Sequence, residues 1–174
     1  MADRPRISAA NRKYVSAPFT GQADPYYSTI QAAINSITNE SATNVYGIYI
    51  YPGEYDESVT LKSYVSLIGS GIDDVLIKGN SVSPAITGPA SDSGGGQSFI
   101  TNLTSDGNGQ SAVTFWDTTT SKLDLIIDVQ VITSQAASTA ITVGNNQTLN
   151  CFGLICPITP TLFTNGFQVT GNGR

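Results

Sequence analysis

Tyr46-Gly47-Ile48-Tyr49-Ile50-Tyr51-Pro52-Gly53-Glu54-Tyr55-Asp56-Glu57, followed by Val65-Ser66-Leu67-Ile68-Gly69-Ser70-Gly71, carries the clearest structural signal in the chain. Gly47 to Tyr51 and Val65 to Ile68 are rich in the β-branched and aromatic residues that favour strands. Pro52-Gly53 and Gly69-Ser70-Gly71 are turn formers, the first by its locked φ and both by tolerance of positive φ. Similar short runs follow downstream: Ser58 to Leu61, Val75 to Ile77, Ala85 to Thr87, Phe99 to Leu103, Ala112 to Trp116 and Leu123 to Ile132. Ala140 to Val143, Leu149 to Ile155, Thr161 to Phe163 and Phe167 to Val169 complete the series. Between them stand Lys78-Gly79-Asn80, Asp106-Gly107-Asn108-Gly109 and Gly144-Asn145-Asn146. Short strands without crossover helices fit either a solenoid of parallel sheets or an antiparallel sandwich. A recurring unit of roughly 20 to 25 residues, with Ile, Val or Leu inward and Thr, Asn or Ser outward, favours the solenoid.

One helix is expected, over about residues 28–39. Ser28 and Gln31 form a capping-box pattern, and Ile30, Ala33, Ile34 and Ile37 recur at helical spacing on one apolar face. So narrow a stripe must lie against the β segments, where it closes one end of the stack. Residues 1–25 contain Pro5, Pro18 and Pro25 and read as a basic leader or anchor with a possible first strand around Tyr14 to Ser16. Residues 26–174 read as a single β domain.

Of 174 residues, 40% are hydrophobic and only 12% charged, enough apolar material for one buried core beneath a polar, weakly charged surface. The net charge is -5, with Arg4, Arg6, Arg12 and Lys13 holding four of the eight basic charges. An acidic body argues against nucleic acid as the ligand, because phosphate binding needs a cationic face. The basic leader is a solvated tail on the plainer reading and a tether to an acidic partner on the other. No apolar run is long enough for membrane insertion, and charges occupy the place of a signal peptide's apolar segment, so the chain reads as soluble and not secreted by that route. Cys151 and Cys156 read as free thiols; with no histidine in the chain, no metal site and no cofactor are expected.

From Tyr27 to Gly71, the series Tyr-Ser-Thr-Ile-Gln-Ala-Ala-Ile, the strand running into Pro-Gly-Glu-Tyr-Asp-Glu and the strand entering the glycine turn resembles the first coil of pectinesterases and their pectate-lyase-like relatives. The resemblance implies an all-β fold, a right-handed parallel β-helix whose N-terminal end is covered by the amphipathic helix. In this reading Tyr55 packs its ring along the next coil and keeps its hydroxyl wet. Beyond residue 97 the likeness thins, though Ser98 to Thr104, Gln110 to Phe115 and Gln135 to Gly153 can be laid against successive coils. The family's ester chemistry needs a glutamine-aspartate pair, a nucleophilic aspartate and an arginine. Here Gln135 is followed by Ala136, residues 159–166 hold no acid, and after Lys122 the only basic residue is Arg174. No catalytic residue is therefore assigned.

Weaker candidates remain. Asp106, Asp117, Asp124 and Asp128 are the aspartates a glycosidase would have to use, yet Asp124 and Asp128 lie roughly 13 Å apart along one strand face, too far for a retaining pair. Asp106 beside Gly107 reads more simply as a turn residue bonding its own backbone. Trp116, with Phe115 and Tyr64, is a possible sugar platform but reads first as core. A retained fold without catalytic residues points to a non-enzymatic structural or attachment module; the chain resembles viral surface and tail-spike β-helices in style, which implies assembly with itself as a trimer or with other virion proteins, in a virion or the cytoplasm of the producing cell. A carbohydrate-active enzyme and a lectin-like, glycan-binding module are the alternatives.

Overall fold

A computed structural model describes residues 6–18, 23–89, 98–115, 122–132, 137–143, 147–152 and 163–169. Fourteen strands and one short α-helix are defined among them. The first strands are β1 (Arg12–Val15) and β2 (Tyr26–Tyr27), followed by the helix α1 (Ile30–Asn35). Then come β3 (Tyr46–Ile50), β4 (Gly53–Asp56), β5 (Val59–Thr60), β6 (Val65–Gly69), β7 (Val75–Lys78) and β8 (Ile86–Thr87). The remaining strands are β9 (Phe99–Asp106), β10 (Val113–Phe115), β11 (Lys122–Ile132), β12 (Ala137–Val143), β13 (Gln147–Phe152) and β14 (Phe163–Val169).

Every pairing between these strands is parallel. That disposes of the antiparallel sandwich. A nine-stranded sheet runs β13-β11-β9-β6-β3-β1-β2, with β4 and β7 joined to it through β9. A five-stranded sheet runs β14-β12-β10-β8-β5. Neither sheet closes on itself. From β9 onward the chain alternates between the two sheets, and partners on neighbouring strands stand about 25 residues apart in sequence, within the period range of stacked repeats.

Ile48, Leu67 and Ile100 from the larger sheet, Tyr55 and Ile77 from β4 and β7, and Val59, Ile86 and Val113 from the smaller sheet share one buried cluster. Because parallel neighbours are in register, like residues stack: Ile48 faces Leu67, Leu67 faces Ile100, and Ile86 faces Val59 and Val113. Strand β9 is the hinge of this arrangement. Ile100 and Thr101 pair with β6, whereas Thr104 to Asp106 pair with β7. Between the two halves Asn102 takes a φ of 55°, a conformation asparagine tolerates better than most residues. The bend brings its carbonyl so close to Gly69 that a Cβ there would overlap it, so the glycine ending β6 is required by packing.

The sequence reading placed most strands correctly but differs at several. Residues after Pro52 form β4 where a turn was expected, because they find a partner in β7. Phe163 and the run Phe167 to Val169 belong to a single strand, β14, while residues 161 and 162 of the first expected run lie outside the described residues. Strand β9 extends past Leu103 to Asp106, and β2 was not foreseen. Arg12 and Lys13, read as leader, lie in β1, which pairs with β3 along its whole length.

The helix is shorter than 28–39, and its cap is Thr29, whose hydroxyl accepts from the Ala32 N–H at 3.3 Å. Glu57, last residue of the Pro-Gly-Glu-Tyr-Asp-Glu run, accepts from the N–H groups of Ile30 at 2.7 Å and Gln31 at 2.9 Å. A carboxylate at a helix N-terminus meets the unsatisfied donors and the positive end of the dipole together. At the other end Ser36 Oγ donates to the Ala33 carbonyl at 2.7 Å and Lys62 donates to that of Ile37. Ile30, Ala33, Ile34 and Ile37 are all buried, as their spacing predicts. Gln31 does not complete a capping box. Its side-chain oxygen accepts from Thr60 N at 2.7 Å, and its Nε2 donates to the Thr60 carbonyl at 3.4 Å. Since β5 is the edge of the five-stranded sheet, that carboxamide occupies the place of a further strand and blunts an edge open to wrong pairing.

Candidate functional site

The best-formed hollow among the described residues lies on the outer face of the larger sheet, near its β2 edge. It is an open depression of about 190 Å³ lined by Tyr14, Tyr49, Ile50, Tyr51, Ile68, Gly69 and Ser70. Its origin is local and simple. In β3 Ile48 and Ile50 point to the core, so Tyr49 and the following Tyr51 share the opposite face. Tyr14 is paired directly with Tyr49 on one side and Tyr26 on the other, which stacks three rings across neighbouring strands. The Tyr14 ring lies 5.5 Å from Tyr26 at 27°, 5.8 Å from Tyr49 at 33° and 6.4 Å from Tyr51 at 40°. These offset geometries are favourable for aromatic pairs. Tyr26 and Tyr51 are about half exposed, at 51% and 46%.

Beside this row the Arg12 guanidinium lies 5.5 Å from the Tyr49 centroid. Arg12 pairs with Gly47, two residues before the Tyr14–Tyr49 pair on the same strands. Its buried Nε has no hydrogen-bond partner among the described residues, and the ring face is a favourable neighbour for the cation. Lys13, next along, points inward, pairs with Asp24 and lies 6.0 Å from the Tyr46 ring. Lys62 and Lys78 are likewise engaged, the first on the helix end and the second 3.6 Å from Glu54.

Tyr55 supports the hollow from beneath. Its hydroxyl is not wet: the residue is 4% exposed and donates to the Tyr51 carbonyl at 2.8 Å. That bond ties the backbone below Tyr51 to the core. Burial, aided by the nearby Glu57 charge and opposed by a backbone hydrogen bond at Ala17, pushes the Tyr55 phenol above its ordinary pKa.

Asp106 ends β9, buried at 3% exposure, and its Oδ1 accepts from the Asn108 N–H at 2.7 Å. Asn108 donates in turn to the Gly79 carbonyl at 2.8 Å. This is the turn role read from the sequence, and it links two layers. Asp117 and Trp116, and with them Cys156, Gln135 and Ala136, lie outside the described residues. Asp124 and Asp128 are both in β11. Tyr64 immediately precedes β6 of the larger sheet, while Phe115 ends β10 of the smaller one, so the strands do not bring that pair to one face. Among the described residues no three His, Cys, Asp or Glu side chains gather as a metal site, and no helix is long and apolar enough to cross a membrane.

The tyrosine hollow was not anticipated. Alternation in Tyr46 to Tyr51 signals an outward Tyr49 and Tyr51, but the contribution of Tyr14 depends on pairing β1 beside β3. No family model matches the chain, and no curated protein matches it.

Proposed function

We propose that the chain is a right-handed parallel β-helix serving as a non-enzymatic structural or attachment module, of the kind that builds virion surfaces and tails. The observation supporting this reading is the parallel, in-register stacking of successive layers around one core. Such stacking makes a stiff body whose length grows by one strand spacing, about 4.8 Å, per coil. Several of the charged side chains help hold this body together. Asp106 bonds a turn, Glu57 caps the helix, and Lys13, Lys62 and Lys78 hold neighbouring groups. Self-association, as a trimer or with other shell proteins, is the form an attachment role would take.

Light scattering combined with small-angle X-ray scattering of the purified chain tests the proposal. A defined oligomer of elongated particles is expected. A compact monomer would remove the support for an assembly role.

A further inference from the structure

We propose that Asn108 is a site of spontaneous modification, where the Gly109 backbone nitrogen displaces the side-chain amide as ammonia and the resulting carboxylate loosens a turn that ties neighbouring strands together. This goes beyond the structural role proposed above and stands whether or not the layers close into coils. The turn spans residues 107–110. Gln110 N donates to the Gly107 carbonyl at 2.9 Å, and both central residues take positive φ, 47° at Asn108 and 92° at Gly109. That is the type I′ pattern, for which Asn-Gly is a preferred pair. The same pair is chemically labile. Asparagine is a thermolabile side chain, and a following glycine, having no Cβ, does not obstruct the approach of its nitrogen to the asparagine Cγ. Asn108 and Gly109 are both part-exposed, so water reaches the turn.

In the reaction the bond from Gly109 N to Asn108 Cγ forms as the Cγ–Nδ2 bond breaks. The Gly109 amide proton passes through solvent to the departing nitrogen, which leaves as ammonia. Water then opens the succinimide ring at either carbonyl, giving aspartate or, with the chain routed through the side chain, isoaspartate. Either product replaces an amide donor with a carboxylate. Asn108 Nδ2 donates to the Gly79 carbonyl at 2.8 Å, so the new carboxylate would bring an acceptor to an acceptor. It would also stand two residues from Asp106, which is 3% exposed and whose Oδ1 accepts from the Asn108 N–H at 2.7 Å. Gly79 N donates to the Asp106 carbonyl at 2.9 Å and Gly107 N to that of Ile132 at 3.0 Å, so this corner joins the ends of β7, β9 and β11. Among the described asparagines only Asn165 also precedes a glycine, and it lies inside β14, paired with Thr139 of β12. Strand pairing holds that backbone extended, whereas a surface turn opens locally while the sheets stay intact, which makes Asn108 the faster site.

The test is ageing of the whole chain at about pH 8 and about 37 °C, in buffer and in urea, with fragmentation mass spectrometry locating each site that gains about 1 Da. Modified and unmodified folded chains are then separated by anion exchange and compared by amide hydrogen exchange. In urea Asn108 and Asn165 are expected to convert at comparable rates, and in the folded chain Asn108 is expected to convert at least about tenfold faster than Asn165. The modified chain is expected to exchange the Gly79 and Gly107 amides roughly tenfold faster, while Ile48 and Leu67 stay protected. Asn108→Asp, which supplies the carboxylate without ageing, is expected to show the same faster exchange. Asn108→Gln, whose longer side chain closes a ring far more slowly, is expected to gain no mass at residue 108. The proposal is overturned if residue 108 stays unmodified in the folded chain while it converts fully in urea, or if Asn165 converts first. A product without isoaspartate, which would mean direct hydrolysis by water, or a modified chain that protects Gly79 and Gly107 as well as the fresh one would also overturn it.

Discussion

Gly69 and Asn102 form one steric unit. A methyl group at residue 69 would meet the Asn102 carbonyl and the Leu103 Cβ, and because Thr101 and Leu103 on either side are held by strand pairing, neither can yield cheaply. Gly69→Ala is expected to cost about 2–3 kcal/mol in urea unfolding. Asn102→Val places a β-branched residue at φ 55° and should cost about 1–2 kcal/mol. Tyr55 adds a pH signature. Its raised pKa means the folded state favours the neutral phenol, so this part of the stability is whole below the ordinary tyrosine value of about 10 and is lost as pH rises through the higher folded value. Tyr55→Phe should lose about 1 kcal/mol at neutral pH with the buried hydrogen bond, and its stability should decline less steeply above pH ~10 than the parent's. Parallel urea melts at neutral and alkaline pH check both.

At the scale of the element, α1 is too short to persist by itself, with six residues against the roughly 12 to 15 an isolated helix needs. It exists because Glu57 and Thr29 satisfy its first donors and the core takes Ile30, Ala33, Ile34 and Ile37. Glu57→Ala leaves two part-buried N–H groups without their acceptor. The expected loss is about 1–2 kcal/mol, read by chemical denaturation, together with faster amide exchange at Ile30 and Gln31. Gln31→Ala uncovers the Thr60 edge. Its expected effect is small in stability but visible as concentration-dependent association in light scattering.

For the whole molecule, one core shared by residues of both sheets predicts coupled unfolding. Leu67→Ala, in the middle of the inward row, should cost about 2–5 kcal/mol, and the loss should register at both sheets at once. Probes in the two sheets that melted at different urea concentrations would contradict the single core.

Local chemistry determined a good deal of this protein. Strand identity follows from β-branched runs between glycine turns, the buried face of α1 from helical spacing, and the Asp106 turn from an aspartate beside Gly107, because each depends on neighbours a few residues away. Parallel pairing was already favoured by the repeating unit, whereas tertiary structure alone decided which strands are neighbours, that Pro52-Gly53 opens a strand, that Glu57 caps a helix 27 residues upstream, and that Tyr14 joins Tyr49. Those features arise between residues tens of positions apart. The pattern in any one strand states which side faces inward and is silent about which strand lies beside it.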